Sequence, residues 1–341
     1  MLKSLNISLG QLSVSKAHTF YLNVYRGVLV CVLGGMAAFW LSEHYATPVM
    51  LLALLLGLAL NFLYKNERMK PGIDWVARDV LRIGVGLLGL RVLFADILTE
   101  SAIGPLIVAV SMMVTFIAGA GIAKMLKLSA PFARLSAGSV AVCGVSAAIA
   151  ISAVLPKRKN ADNELAVVII SVTALSTLAM IIYPIVAAQL SLNDHDAGIF
   201  IGGSIHDVAQ VVGAGYSISE DAGDTATYIK LLRVALLLPI VLLISIASRG
   251  DFESTNKPPL LPGFLIGFLI LATLNSLGVI PVEVSLFGNH LSRAFLILSI
   301  FAIGAKTRLD ELFKVGVKPL LLVACETIIM AAIVIAGLLL A

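Results

Sequence analysis

The chain has 341 residues, of which 59% are hydrophobic and only 13% charged, with a mean hydropathy of +1.02. That much apolar surface exceeds what a soluble fold can hide, so soluble enzymes and soluble binding modules are excluded and a polytopic membrane protein is implied. The formal net charge is +4 and the three cysteines, Cys31, Cys143 and Cys325, sit inside apolar runs, which argues against a nucleic-acid surface, a disulfide framework or a thiolate metal site.

Met1–His18 is mostly polar, and the first strong apolar run opens only at Arg26, so no removable leader is expected. Residues 1–25 are expected to form a short interfacial helix and residues 26–341 one transmembrane domain. Apolar runs near the ~20 residues needed to span a bilayer predict helices at 26–42, 47–64, 79–94, 101–125, 164–190, 225–248, 260–278, 284–305 and 318–341. Two further hydrophobic segments, 129–155 and 198–222, are broken by glycine, serine and polar residues.

Thr47–Ala109 and Leu261–Val323 align without a gap, pairing Pro48 with Pro262, Asn61 with Asn275, Asp96 with Asp310 and Pro105 with Pro319. A repeat built from membrane-length segments is the sequence trace of a transporter core. It suggests one copy over about 47–190 and a permuted second over about 198–341.

Charge sets the expected orientation. Basic residues concentrate at Lys65–Lys70, at Lys124, Lys127 and Arg134, at Lys157-Arg158-Lys159, and at Lys306, Arg308, Lys314 and Lys318. The turns His44–Ala46, Asp96–Ser101, Ser191–Asp196 and Gly278–Glu283 carry no Lys or Arg. If both broken segments dip in and return, every basic loop is cytoplasmic and the repeat is inverted. The alternative is a pair of broken helices that cross the membrane, giving eleven passes. The fold class is therefore an all-α polytopic membrane protein, an inverted-repeat transporter core with two broken or re-entrant helices and about nine to eleven membrane segments.

The broken segments carry the chemistry. The first contains Ser139, Cys143, Gly144 and Ser146; the second contains Gly202, Gly203, Ser204, His206, Asp207 and Gln210. Small residues precede a renewed helical run at about Ser146 and about Ser204. The start of such a half-helix offers unpaired N–H groups to an anion. Close packing of small residues is the competing reading for the first segment. In the second, ionisable His206 and Asp207 are costly in a membrane and point to function, with capping of the helix start as the lesser alternative for Asp207. Asn61 and Asn275 are candidate donors to the hairpin backbones or interhelical glue. Arg82, Arg91, Lys230, Arg233 and Lys306 could line an anion path, with snorkelling to headgroups favoured for Lys230 and Arg91. Glu326, deep in the last run, joins His206 and Asp207 as a candidate for ion coupling.

The strings Gly202–Val212, Cys143–Ala147 and Ile303–Thr307 resemble a family of bacterial multi-pass inner-membrane proteins, long described as conserved hypothetical proteins, to which sulfate export has been assigned. The resemblance covers nearly the whole chain, departing from pattern at Val145, where a smaller residue is expected. It implies kinship with bile-acid/sodium symporters and cation/proton antiporters. The run from Glu164 through Ser171, Thr173 and Ser176 to Pro184 is similar to a helix of the symporters, which favours the crossing alternative. The expected function is a secondary transporter moving a small anion, sulfate or an organosulfonate, by alternating access. Rival readings are a sodium- or proton-coupled carrier of cations or organic acids, an intramembrane enzyme and a channel. No nucleotide-binding P-loop, HExxH or GxSxG motif occurs in the chain. Expected partners are the bilayer, the anion, a coupling proton or sodium ion and a second copy in a homodimer; no nucleic acid, metal or other cofactor is expected.

Overall fold

The computed structural model describes residues 2–45, 47–91, 103–156, 158, 160–248, 263–307 and 315–341. Within them every regular element is a helix, as a bilayer demands of any open chain that must satisfy its backbone internally. Six helices are long and apolar enough to cross a membrane, and shorter apolar helices cover Val49–Ala59, Val208–Ile218 and Gly263–Ser276. The protein is all-α and polytopic. Lys157, Lys159, Asp96–Ser101, Leu261, Pro262, Arg308, Asp310 and Lys314, which entered the repeat and charge arguments, lie outside the described residues.

The chain divides into two units. The first comprises residues 1–84 and 293–306. Its α1 (Leu2–Tyr45) is unbroken, so the polar N-terminal stretch continues directly into the first span. Helix α2 (Val49–Ala59) tightens into a 3₁₀ turn at Asn61–Lys65. Helix α3 (Lys70–Trp75) then begins nine residues before the expected position 79 and passes through a π-helical turn, Val76–Val80, into α4 (Leu81–Leu87). Backbones approach closely where Gly27 meets Gly72 and Gly57 meets Gly304, the small-residue contact that holds helices together in lipid.

The second unit comprises residues 85–292 and 307–341. Helix α5 (Ile103–Met125) shows the membrane pattern directly. Ile103, Leu106, Val110, Met113 and Ile117 are exposed along one face, while Gly104, Val108, Ser111, Thr115 and Gly119 are buried on the other. Apolar side chains face out because lipid gains nothing from hiding them, and the small and polar ones pack inward.

The first broken segment forms α6 (Ala130–Ala141) and α7 (Val145–Ser152). On a continuous helix, Gly138 and Ile151 would lie roughly 20 Å apart. Instead the Ile151 side chain occupies the space that a side chain on Gly138 would need. At the open end, Arg158 Nη1 donates to Ser129 Oγ at 3.1 Å. The segment therefore folds back on itself and returns to the side it came from. Its turn is made by Gly144, whose φ of +63° and ψ of −120° suit a residue without a side chain.

Helix α8 (Ala161–Gln189) has 29 residues, roughly 43 Å, and crosses the whole bilayer. It leads to the second broken segment, α9 (Asp194–Ser204) and α10 (Val208–Ile218), followed by α11 (Glu220–Ala235) and α12 (Leu237–Ser248). A Cβ built on Gly198 or on Gly215 would lie within 3.1 Å of the same Ala222 carbonyl oxygen. Residues seventeen positions apart thus sit at one depth, and this segment is also a hairpin. Since α8 spans the membrane between the two open ends, the hairpins enter from opposite sides. The crossing arrangement suggested by the symporter similarity does not occur. Helices α13 (Gly263–Ser276), α14 (Val282–Lys306) and α15 (Val317–Leu340) complete the order.

The fold-back has a direct chemical check. With Ser129→Cys and Arg158→Cys in a cysteine-free background, a short bismaleimide should join the two positions, and both should react from one face only. The positive-inside rule puts that face in the cytoplasm. A cysteine at Lys159 should therefore resist impermeant reagent in intact cells, whereas one at Asn193 should label.

Candidate functional site

Lys230 and Arg233 lie one turn apart on α11, in a run that is otherwise apolar from Ile229 to Ile240, and both are 0% exposed. They do not snorkel to headgroups. Arg233 spends every N–H on the hairpin tips. Nε and Nη2 donate to Ala141 O at 3.0 and 2.8 Å, and Nη2 also donates to Val140 O at 2.9 Å. Nη1 donates to Gly202 O and Ile205 O, each at 2.9 Å. Lys230 Nζ donates to Val142 O at 2.7 Å and Ile205 O at 3.0 Å. These are the carbonyls that α6 and α9 leave unpaired where they stop. A mid-membrane arginine costs about 2.5–3.5 kcal/mol on insertion scales, while a hydrogen bond to a charged group contributes about 1.5–3 kcal/mol. Five such bonds more than offset the cost. Arg233 is thus a structural clamp joining both tips, not part of an anion path.

With the C-terminal ends of α6 and α9 bound, the starts of α7 and α10 remain. The tips touch here: a Cβ on Gly144 would lie 3.6 Å from His206 Cβ and 3.9 Å from His206 O. The depth is that of mid-membrane, because Asp207 N donates to Ser176 Oγ and Gln210 Nε2 to Thr177 Oγ1, at the middle of α8. The first intrahelical bonds run from Ala148 to Gly144 O and from Val211 to Asp207 O. The preceding N–H groups of Val145 and Ser146, and of Val208, have no helical acceptor. Ser146 is exposed, and Val145, Asp207 and Val208 are half-buried, so this edge of the junction is open while its back is closed.

Other expected residues take different places. The renewed helix starts at Val208, so Ser204 ends the first arm. Its hydroxyl and that of Ser139 each turn back to the carbonyl four residues earlier, Phe200 O and Leu135 O, both at 2.5 Å. Buried serines in a last turn satisfy themselves that way. Gly202 is needed for the close approach of α9 to Ala226 and Ile229 on α11, and Gly203 packs on Val108 and Val334. Cys143 is buried in the tip. Asp207 caps α10, Oδ1 accepting from Ala209 N at 2.8 Å.

His206 Nε2 lies 2.9 Å from Thr327 Oγ1 on α15. The Thr327 hydroxyl donates to Val323 O at 2.7 Å, which leaves its oxygen to accept from Nε2–H. Nδ1 then has no hydrogen-bond partner, and neither does Gln210 Oε1.

Asn61 and Asn275 belong to different units. Asn61 belongs to the first unit, where Nδ2 donates to Ala305 O at 2.7 Å. Asn275 lies near the end of α13 in the second. Lys306 pairs with Asp74 at 2.6 Å, and Arg82 lies 3.9 Å from Asp79. Arg91 is held by Glu220 at 2.5 Å and Asp224 at 2.7 Å near the second hairpin's open end, and does not snorkel. Thr177 and Thr327 were missed because hydroxyls in apolar helices are common, and Ser176 was singled out only through the symporter similarity, without a role. The i, i+3 pair of bases in an apolar run was the signal for the clamp.

Crossing helices, two opposed hairpins and a polar junction at mid-depth define a multi-pass helical protein of the bacterial inner membrane. The chain belongs to the conserved hypothetical protein 698 family, whose model matches residues 26–323. It is 47% identical over 322 residues to the UPF0324 membrane protein TauZ of Paracoccus denitrificans, covering 92% of this chain and 94% of that one. It is 45% identical over 314 residues to UPF0324 membrane protein CT0845 of Chlorobaculum tepidum, covering 91% and 88%. A Corynebacterium glutamicum relative, UPF0324 membrane protein Cgl0015/cg0018, is 31% identical over 324 residues, 92% of each chain. No solved structure matches.

Arg233→Lys tests the clamp. A lysine offers three donors in place of five, and losing two charge-assisted bonds should lower stability by about 3 kcal/mol or more. Thermal unfolding in detergent should show a clear drop in Tm, larger than for Arg82→Lys, whose side chain is exposed.

Proposed function

We propose that the protein is a secondary transporter, not an enzyme, which carries a small anion of the sulfate or organosulfonate kind by alternating access. The observation that carries this reading is the junction of the α7 and α10 starts. Two helix N-termini meet at mid-membrane with their N–H groups toward an open edge, an arrangement that attracts anions. The opposing C-terminal ends are already occupied by Lys230 and Arg233, so their negative dipole ends do not cancel that field. Lys230 and Arg233 share this depth with two acids, Asp207 and Glu326. Ser146 supplies a hydroxyl at the open edge, and His206 and Gln210 form the back of the site. Hairpins entering from opposite sides give each face of the membrane its own route to one place, the requirement of alternating access.

A second reading, a carrier of cations or organic acids, draws on Gln210 Oε1, a buried acceptor with no partner one turn from Asp207. One assay separates the two. Purified protein in liposomes should take up labelled sulfate or ethanesulfonate, with rates that respond to imposed pH or sodium gradients. Sodium movement without either anion would favour the second reading.

Gly144→Val provides the site-level check. The positive φ strains any residue with a side chain, and the added carbons would press on His206. Anion uptake should fall at least tenfold while the amount of protein in the membrane stays within twofold. Uptake at the wild-type rate would remove the junction from the transport path.

A further inference from the structure

Glu326 lies near the middle of α15 and is 0% exposed. One carboxyl oxygen, Oε2, is bonded to the Ser136 hydroxyl on α6. The other, Oε1, has no hydrogen-bond partner. It fills the space left by Gly119 on α5, where any side chain would collide with it. The group is enclosed by three helices and touched by a single hydroxyl.

The titratable groups of the packed elements leave it alone. Helix α5 has only Lys124, exposed and five residues beyond Gly119, and α6 has Arg134, half-buried two residues before Ser136. The acids of α8 and α9 (Asp162, Glu164, Asp194, Asp196), with His195, sit in their first turns, and Tyr183 lies near the end of α8. At the depth of Glu326 stand His206, whose contact is with neighbouring Thr327, and Arg233, whose Nη2 lies 3.5 Å from Met330 Sδ one turn away. Lys230 and Asp207 lie on the same tips, Lys230 bonded to Val142 O and Ile205 O and Asp207 capping α10. The five N–H groups of Arg233 are already committed to the tips.

Two charge states can be compared on this geometry. As an acid, Glu326 still accepts from the Ser136 hydroxyl at Oε2, and what it buries is uncharged, which costs far less than an isolated carboxylate. As a carboxylate it is acceptor-only, has one donor and no cation beside it, and cannot stay as it is. A sodium ion is not a good occupant, because hard cations gather about six oxygens and this pocket offers a carboxyl and one hydroxyl.

We propose, building on the transporter reading, that Glu326 is the proton carrier of this protein and that Ser136 passes its charge state to the first hairpin. On release, the Glu326 O–H bond breaks, the proton passes to water reaching the pocket and the electron pair stays on the carboxylate. The helices then shift to supply a donor to Oε1. Ser136 is one turn before Val140, whose carbonyl Arg233 holds, and Thr327 holds the second tip. Both hairpins therefore sense the event within a turn of helix.

The test uses full-length protein in nanodiscs and does not depend on the substrate. Infrared difference spectra across a pH titration should show a protonated-carboxyl C=O band at neutral pH that Glu326→Gln removes and Glu164→Gln retains. Spin labels on α6 and α15 should change separation as pH rises in the wild type, with the change absent in Glu326→Gln and reduced in Ser136→Ala. In liposomes, sulfate flux should lose its pH dependence in Glu326→Gln. A band that survives the substitution, or a pH-driven distance change unaltered by it, overturns the proposal. If sulfate is not carried, the anion reading fails while the spectra and distances still decide the role of Glu326.

Discussion

The rest of this fold depends on how two helix ends can be buried at mid-membrane. Each hairpin stops a helix where no water reaches, leaving carbonyl groups that lipid cannot satisfy. Arg233 and Lys230 supply seven hydrogen bonds to those carbonyls, drawn from both tips at once. One pair of side chains therefore makes both interruptions tolerable and fixes them against each other. Without it neither hairpin has a reason to end at this depth.

The clamp also explains the asymmetry of the junction. Helix C-terminal ends are neutralised from behind, by residues with no exposure, whereas the N-terminal starts of α7 and α10 face the open edge. Glycine at 144 lets the turn be made and lets His206 approach. The back of the junction is held by hydroxyls from continuous helices: Ser176 and Thr177 of α8, and Thr327 of α15. The junction thus has a closed rear and an open front.

Alpha-15 ties the parts together. Adjacent residues on it, Glu326 and Thr327, reach the first hairpin's arm and the second hairpin's tip. Their side chains point to different neighbours because successive positions on a helix are about 100° apart. Two adjacent positions of one helix thus hold both hairpins.

Much was determined by the sequence alone. Composition required a membrane protein, apolar run lengths located most of the spans, and the loop charges favoured hairpins that return, as Ser129 meeting Arg158 demonstrates. Small residues located the two interruptions, since only they let backbone leave the helix and approach another chain closely. Those are local or one-dimensional properties, and physics acts on them locally. Only the tertiary structure decided what the buried bases do. In sequence, Lys230 and Arg233 resemble any cations able to reach a headgroup, and Ser204 resembles the start of a helix rather than its end. Which carbonyls lie within 3 Å of a guanidinium, and whether Glu326 has a donor for each oxygen, depend on residues some thirty to two hundred positions away. Those distances are set by packing, which no window along the chain contains.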